Sequence, residues 1–198
     1  MQRLFITALA YLICFSVFGQ ENKQDTLIHL NNYSVVYSQN HLQPIEVWYK
    51  VSCPDAKSLP DSCRGFTQTL SKRHNIITSK SKHYKDNIYD RGHMAPSASL
   101  DCNCDDKKET FTYLNCALQN DSLNQKVWKY LEEKERDLAK DNNVFVYIKV
   151  EFENSDNIDG VRIPSGFYKT LIVDGESSSY YFGNTTPESN DIKYYKID

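Results

Sequence analysis

Across residues 123–140 the apolar positions Leu123, Val127, Leu131 and Leu138 recur at helical spacing, and Asn124, Trp128 and Glu132 recur every four residues beside them. A side chain returns to the same side of an α-helix every three to four residues. This pattern predicts one long helix with a packing face and, next to it, a face able to present oxygen ligands. Past the helix the period changes to two. Val144, Val146, Ile148 and Val150 line one side of a predicted strand over 144–152, and residues 166–173 begin another. Two or three strands are expected within 33–52, followed by a loop to about residue 66 and a polar connection to about residue 88. A strand and turn then carry Asp90-Arg91-Gly92-His93-Met94-Ala95-Pro96. Asp156-Asn157-Ile158-Asp159-Gly160 reads as a turn, and the tyrosine-rich stretch 178–195 either adds a strand or packs across the sheet. Strands that do not alternate regularly with helices indicate an α+β layout rather than a doubly wound sheet.

A chain of 198 residues buries a good core without splitting, so residues 20–198 are expected to form a single domain. The first nineteen residues read differently. Arg3 precedes an apolar run over 4–18, and Val17-Phe18-Gly19 offers small residues at the positions a signal peptidase inspects. The run is short for a membrane span and reads as an export signal removed after Gly19. Cys14 follows Tyr11-Leu12-Ile13, a poor lipidation context, and no other stretch is long and apolar enough to cross a bilayer. The expectation is a secreted or periplasmic protein with no stable membrane partner.

Export permits disulfides. Cys53, Cys63, Cys102, Cys104 and Cys116 remain after Gly19, an odd number, so at least one lacks a partner within the chain. Cys53 and Cys63 flank a loop rich in Pro, Asp and Ser and are expected to pair, with Cys116 joined to Cys102 or Cys104. A zinc site is disfavoured by the Cys-x-Cys spacing and the lack of a matching histidine nearby.

The formal net charge of −3 ordinarily counts against nucleic-acid binding. Local charge modifies that picture, because Lys72, Arg73, Lys80, Lys82 and Lys85 succeed one another with no acidic residue between them, just ahead of the 90–96 segment. Such a patch can steer and neutralise a phosphate backbone. Within 90–96, Arg91 offers a fixed fork of donors to phosphate and His93 an imidazole suited to taking a proton from water. Asn124 offers a neutral oxygen, enough to anchor a hard divalent ion that keeps several waters and completes its shell with substrate phosphate.

These residues carry a resemblance. Asp90 to Pro96, then Tyr113-Leu114-Asn115 followed by Gln119, then Leu123-Asn124 with Trp128 and Leu131-Glu132, resemble in order and separation the DNA/RNA non-specific endonucleases of the ββα-metal, or His-Me finger, class. Weaker echoes at Pro44 to Tyr49, Arg64-Gly65-Phe66 and Ile163-Pro164-Ser165-Gly166-Phe167-Tyr168-Lys169 extend it over roughly residues 33–175. The resemblance implies an α+β fold with a ββα-metal finger on a central, mainly antiparallel β-sheet flanked by helices.

It also implies Mg2+-dependent cleavage of DNA and RNA, with Mn2+ or another divalent ion able to substitute, leaving 5′-phosphate and 3′-hydroxyl ends. In that reading His93 is the base, Arg91 the phosphate clamp, Arg64 a second phosphate contact, and Lys82 and Lys85 part of the substrate groove. Asn124 is the metal anchor and Asn115 supports the geometry, while Gln119 and Trp128 are structural. Asp90 braces the turn or a neighbouring cation, and Gly92 lets the turn bend closely. Glu132 lies eight residues from Asn124, about 12 Å of helical rise, and is expected to act through a metal-bound water. The assigned groups all address phosphate or its metal, so broad sequence specificity is expected. The alternatives are a secreted nucleic-acid-binding protein without catalysis and a metal phosphodiesterase for small substrates.

Overall fold

The computed structural model of the protein describes residues 25–55 and 59–197; the export leader expected over 1–19 lies outside them. Strands β1 (Thr26–His29), β2 (Tyr33–Ser38) and β3 (Gln43–Lys50) are followed by a short helix α1 (Thr69–Arg73) and by β4 (Tyr89–His93). Helices α2 (Ser97–Leu100) and α3 (Cys104–Thr110) precede β5 (Cys116–Asn120). From there the chain runs directly into a helix of three successive stretches: α4 (Asp121–Leu123), a π turn over Asn124–Trp128, and α5 (Lys129–Ala139). Then come β6 (Val144–Glu151), the small hairpin β7 (Asn157–Ile158) and β8 (Val161–Arg162), β9 (Gly166–Val173) and β10 (Glu176–Gly183).

Six strands form one antiparallel sheet in the order β1-β2-β3-β6-β9-β10. Its register aligns Val35, Val47, Ile148, Lys169 and Tyr180 in a single row, and every one of them is buried. Alternation sends their neighbours Glu46, Lys149 and Tyr168 to the opposite, more open face. The expected alternation of Val144, Val146, Ile148 and Val150 holds, and the tyrosine-rich stretch supplies the edge strand β10. Of the turn expected at 156–160, Asp159 and Gly160, both at positive φ, join β7 to β8, while Asn157 and Ile158 form β7 itself.

The long helix packs on the buried face. Leu123, Val127 and Leu131 are inside, and Trp128 is fully buried with its ring edge-on to Phe167 and Phe182, 5.6 Å from each. The helix begins where it does because the Asn120 side chain accepts the Leu123 N–H at 3.1 Å. The π turn rotates the later residues of the helix relative to an unbroken α-helix. Trp128 enters the core, while Asn124 and Glu132, four residues to either side, stay half-buried. The three therefore do not share one exposed face.

Two buried charges in the core, Lys169 and Glu135, depart from the sequence pattern. Lys169, in the middle of β9, is fully buried, with its Nζ 2.8 Å from Glu135 Oε2 and 4.8 Å from the Trp128 ring centroid. Tyr49 and Ser99 hydroxyls each donate to Glu135 Oε1 at 2.8 Å. A buried charge persists when it is paired and hydrogen-bonded, and Glu135 has both, the ion pair through Oε2 and two hydroxyl donors on Oε1.

The cysteines pair differently from the expectation. Cys53 joins Cys102 and Cys63 joins Cys104, while Cys116 is a free, buried thiol. The reason is tertiary. The N–H groups of Ser52 and Cys53 both donate to the Ser99 carbonyl, at 3.0 and 3.2 Å, which brings the end of β3 against the α2–α3 segment. Cys116 instead opens β5 with its side chain in the core, out of reach of the surface loops. Burial holds its thiol well above the usual range.

Candidate active site

Strand β4 pairs with β5 in a hairpin set apart from the six-stranded sheet, with Asp90 opposite Gln119, Arg91 opposite Leu118, Gly92 opposite Ala117 and His93 opposite Cys116. Strand alternation puts Arg91 and His93 on one side and Asp90 and Gly92 on the other. Gly92 lies within this strand rather than at a bend, which corrects the expectation for it. A Cβ there would stand 2.2 Å from Gln119 Oε1 and 2.5 Å from Gln119 Cβ, so glycine is required by close approach.

The His93 ring is wedged between aromatic side chains, 5.0 Å from Phe111 and 5.3 Å from Phe66 by centroids. Burial pushes its imidazole down to about 4; the Arg91 carbonyl, hydrogen-bonded to the ring, acts upward and the Arg91 charge downward. The histidine is therefore neutral at pH 7. Its Nε2 is buried and has no hydrogen-bond partner among the described residues. Arg91 Nε is buried and unpartnered in the same way, while Arg91 Nη2 donates to Ser81 Oγ at 2.8 Å. The guanidinium also lies 5.1 Å from the Phe66 ring centroid and 5.8 Å from that of Tyr84.

The segment after His93 is held by Asn115, which is fully buried. Its Oδ1 accepts the Ala95 N–H at 2.8 Å, its Nδ2 donates to the carbonyls of Ala95 and Thr110 at 2.8 and 3.1 Å, and its own carbonyl accepts the Met94 N–H at 2.9 Å. Both amide hydrogens are thus committed to backbone. Asn115 acts on His93 by position.

The start of the long helix is docked on the same hairpin. Asn124 Nδ2 donates to Asp90 Oδ2 at 3.0 Å, and Gln125 Nε2 donates to that oxygen at 2.8 Å. Asp90 is an acceptor for two amides, which orients the Asn124 side chain and leaves its Oδ1 as the remaining ligand atom. Among the described residues no group of three or more His, Cys, Asp or Glu side chains gathers to hold an ion. That donor set does not suit a metal needing a full protein cage. It fits a hard cation held by one amide oxygen, waters and substrate phosphate.

Glu132 stands further along the helix, past the π turn. Burial pushes its carboxyl up to about 7, with the Lys169 charge acting downward and Glu135 upward. Arg64 is exposed and lies 3.6 Å from Asp61, in a surface ion pair. Lys82 is exposed and pairs with Asp159 at 2.9 Å, and Lys85, Lys72, Arg73 and Lys80 are exposed as well. The 3-10 turn Ser81–Tyr84 carries both Ser81 and Tyr84, so the basic run is physically attached to Arg91.

The structure thus brings Arg91, His93, Asn115 and, through Asp90, Asn124 together on one hairpin. Phe66, Phe111 and Tyr84, which surround Arg91 and His93, do not stand out along the chain. Phe66 belongs to the Arg64-Gly65-Phe66 echo, where the arginine carries the evident chemistry, and isolated aromatic residues in loops give no periodic signal.

A model of the DNA/RNA non-specific endonucleases matches residues 14–194. Among solved structures, a chain in the crystal structure of the EndoG/EndoGI complex, described for the mechanism of EndoG inhibition, superposes with a TM-score of 0.74 at 24% identity, covering 89% of this chain and 82% of that one. No curated protein sequence matches significantly. The superposition gives the same mixed α+β fold, and the family match spans the β4–β5 hairpin, the long helix and the sheet. The chain belongs to the DNA/RNA non-specific endonuclease family and is a nuclease of the ββα-metal fold.

Proposed function

We propose that this nuclease is exported and hydrolyses phosphodiester bonds of both DNA and RNA with little sequence preference, using Mg2+ and leaving 5′-phosphate ends. One observation carries the chemistry: His93 Nε2 and Arg91 Nε are neighbouring, buried and unpartnered, one an acceptor and the other a donor. An unpaired buried polar atom is costly, and a phosphodiester with its attacking water offers each atom what it lacks. Neutral His93 takes the proton of the water as it attacks phosphorus, and Arg91 donates to a nonbridging oxygen. The bond from phosphorus to the 3′ oxygen breaks, that oxygen takes a proton from solvent water and leaves as a hydroxyl, and the phosphate stays on the 5′ side.

The resemblance set out above implies a divalent ion, and the donors present fit one held largely by waters and phosphate. Asn124, oriented by Asp90, is the residue to hold it, and Glu132 is assigned to orient its waters. When bound, such an ion stabilises negative charge on the nonbridging and leaving oxygens. Arg64, Lys82 and Lys85 are assigned to the backbone of the polymer. The ion pairs of Arg64 and Lys82 are solvent-exposed and weak, so phosphate displaces them readily. None of these groups reads a base edge, which supports broad specificity.

Export of residues 20–198 as one nuclease domain, to the periplasm or the medium, is supported by the disulfides Cys53–Cys102 and Cys63–Cys104. No helix among the described residues is long and apolar enough to cross a membrane. The test is digestion of plasmid, single-stranded DNA and RNA with Mg2+ and then with chelator, followed by end analysis of the products. Chelator-sensitive cleavage of all three with 5′-phosphate ends is expected. Intact polymers after incubation with folded protein would refute the reading.

A further inference from the structure

Arg91 and His93 share a neighbour that the chemistry above leaves unused. The Phe66 ring lies 5.1 Å from the Arg91 guanidinium carbon and 5.3 Å from the His93 ring centroid. Among the described residues no carboxylate forms an ion pair with Arg91, whose hydrogen bond goes to the Ser81 hydroxyl. Aromatic faces rather than a counter-charge therefore restrain this long side chain. A ring restrains a guanidinium without neutralising it, whereas a carboxylate would compete with the phosphate.

Phe66 is itself held firmly for a half-exposed residue. The Cys63–Cys104 disulfide ties down the chain just before it. Just after it, the Thr67 N–H donates to the Phe111 carbonyl at 3.0 Å, and Thr67 bridges to Thr112. Its ring packs 5.3 Å from both Phe111 and Tyr113. Neither Phe66 nor Phe111 belongs to the main hydrophobic core, so this aromatic group is a separate structure built around Arg91 and His93.

We propose that Phe66 is a positioning residue for phosphodiester hydrolysis, its ring setting the Arg91 guanidinium and the His93 imidazole at the mutual angle at which one phosphoryl group meets both. Tyr84, on the basic run, is the second ring against Arg91. The inference rests on the roles given above to Arg91 and His93. Affinity for the polymer comes from many cation–phosphate contacts, so losing the ring acts on turnover more than on binding.

The test is steady-state cleavage of a labelled duplex by the intact mature protein and by F66A, F66L, F66Y, R91A, H93A and the double variant F66A/R91A, with circular dichroism to verify folding. F66A is expected to lower kcat by about tenfold or more with KM within about threefold, and F66Y to restore most of it. In the R91A background the same substitution should cost less than about threefold, because residues that act through one another are not additive. A smaller loss in F66A, faster turnover than wild type, failure of F66Y to rescue, or full multiplication of the losses in the double variant would each overturn the proposal. If F66A does not fold, F66L is judged by the same criteria. Full cleavage by H93A would undo the hydrolytic assignment itself, whereas His93-dependent cleavage indifferent to Phe66 would undo this inference alone.

Discussion

Asn124 Nδ2 and Asp90 Oδ2 stand 3.0 Å apart, and this bond ties the beginning of the long helix to the strand that presents His93. The carboxylate orients the amide. Asp90→Ala should therefore raise the Mg2+ concentration for half-maximal cleavage by roughly 10- to 100-fold, the size typical of residues that orient a metal ligand, and recover much of the rate at saturating Mg2+. Asn124→Ala should not recover. Metal titrations of both variants check this, and an unchanged Mg2+ requirement in Asp90→Ala would remove its orienting role.

The His93 imidazole is held down to about 4 by burial. In the metal-free protein its ring signals, followed by NMR, should titrate with a midpoint near 4, and a midpoint near 6.5 would mean that water reaches the ring. The linkage has a definite sign. The unfolded chain takes up this proton near pH 6.5, and the folded chain only near 4. Stability from this site is thus fully present above pH 6.5 and is lost as pH falls towards 4. Glu132, raised to about 7, acts in the opposite sense as pH falls from 7 towards its unfolded value. Denaturation of Glu132→Gln between pH 4 and 7 should consequently show a steeper acid loss than wild type.

Gly92→Ala should destabilise the protein by about 1–3 kcal/mol, since the new methyl group meets Gln119 across the hairpin. Gln119→Ala should not rescue it, because Gln119 Cβ is itself 2.5 Å from the position of the added carbon. Gln119→Gly should rescue it in part. Urea midpoints for the single and double variants decide the matter, and rescue by alanine at 119 would show that the backbone moves to make room.

Lys169→Met strands Glu135 as an unpaired buried carboxylate and is expected to cost about 3–5 kcal/mol. Glu135→Gln in the same chain removes that charge while leaving an acceptor for the Tyr49 and Ser99 hydroxyls. The double variant should therefore be more stable than Lys169→Met alone. If thermal and urea denaturation rank them the other way, the ion pair is not the source of the cost.

Much of the architecture was legible along the chain because local periodicity reports directly on burial. The alternation over β6 and the helical spacing of Leu123, Val127 and Leu131 needed no partner to be read, and the Asp159-Gly160 turn announced itself by residue type. Arg91, His93 and Asn124 stood out because their chemistry is concentrated in short segments at characteristic separations. Other features depended on contacts between segments far apart in sequence. Nothing near Cys53 indicates Cys102, since that pairing arises from the docking of β3 on the α2–α3 segment. Lys169 looks like a surface lysine until the register of β9 turns it inward onto Glu135. The need for glycine at 92 lies in a side chain on another strand, and the rings around Arg91 and His93 come from three segments far apart in the chain. The sequence by itself determined the periodic elements and the reactive side chains, because these are written in neighbouring residues. Only the tertiary structure decided the cysteine pairing, the buried charge and the aromatic setting of the site, because each is a contact that exists only after the chain has closed on itself.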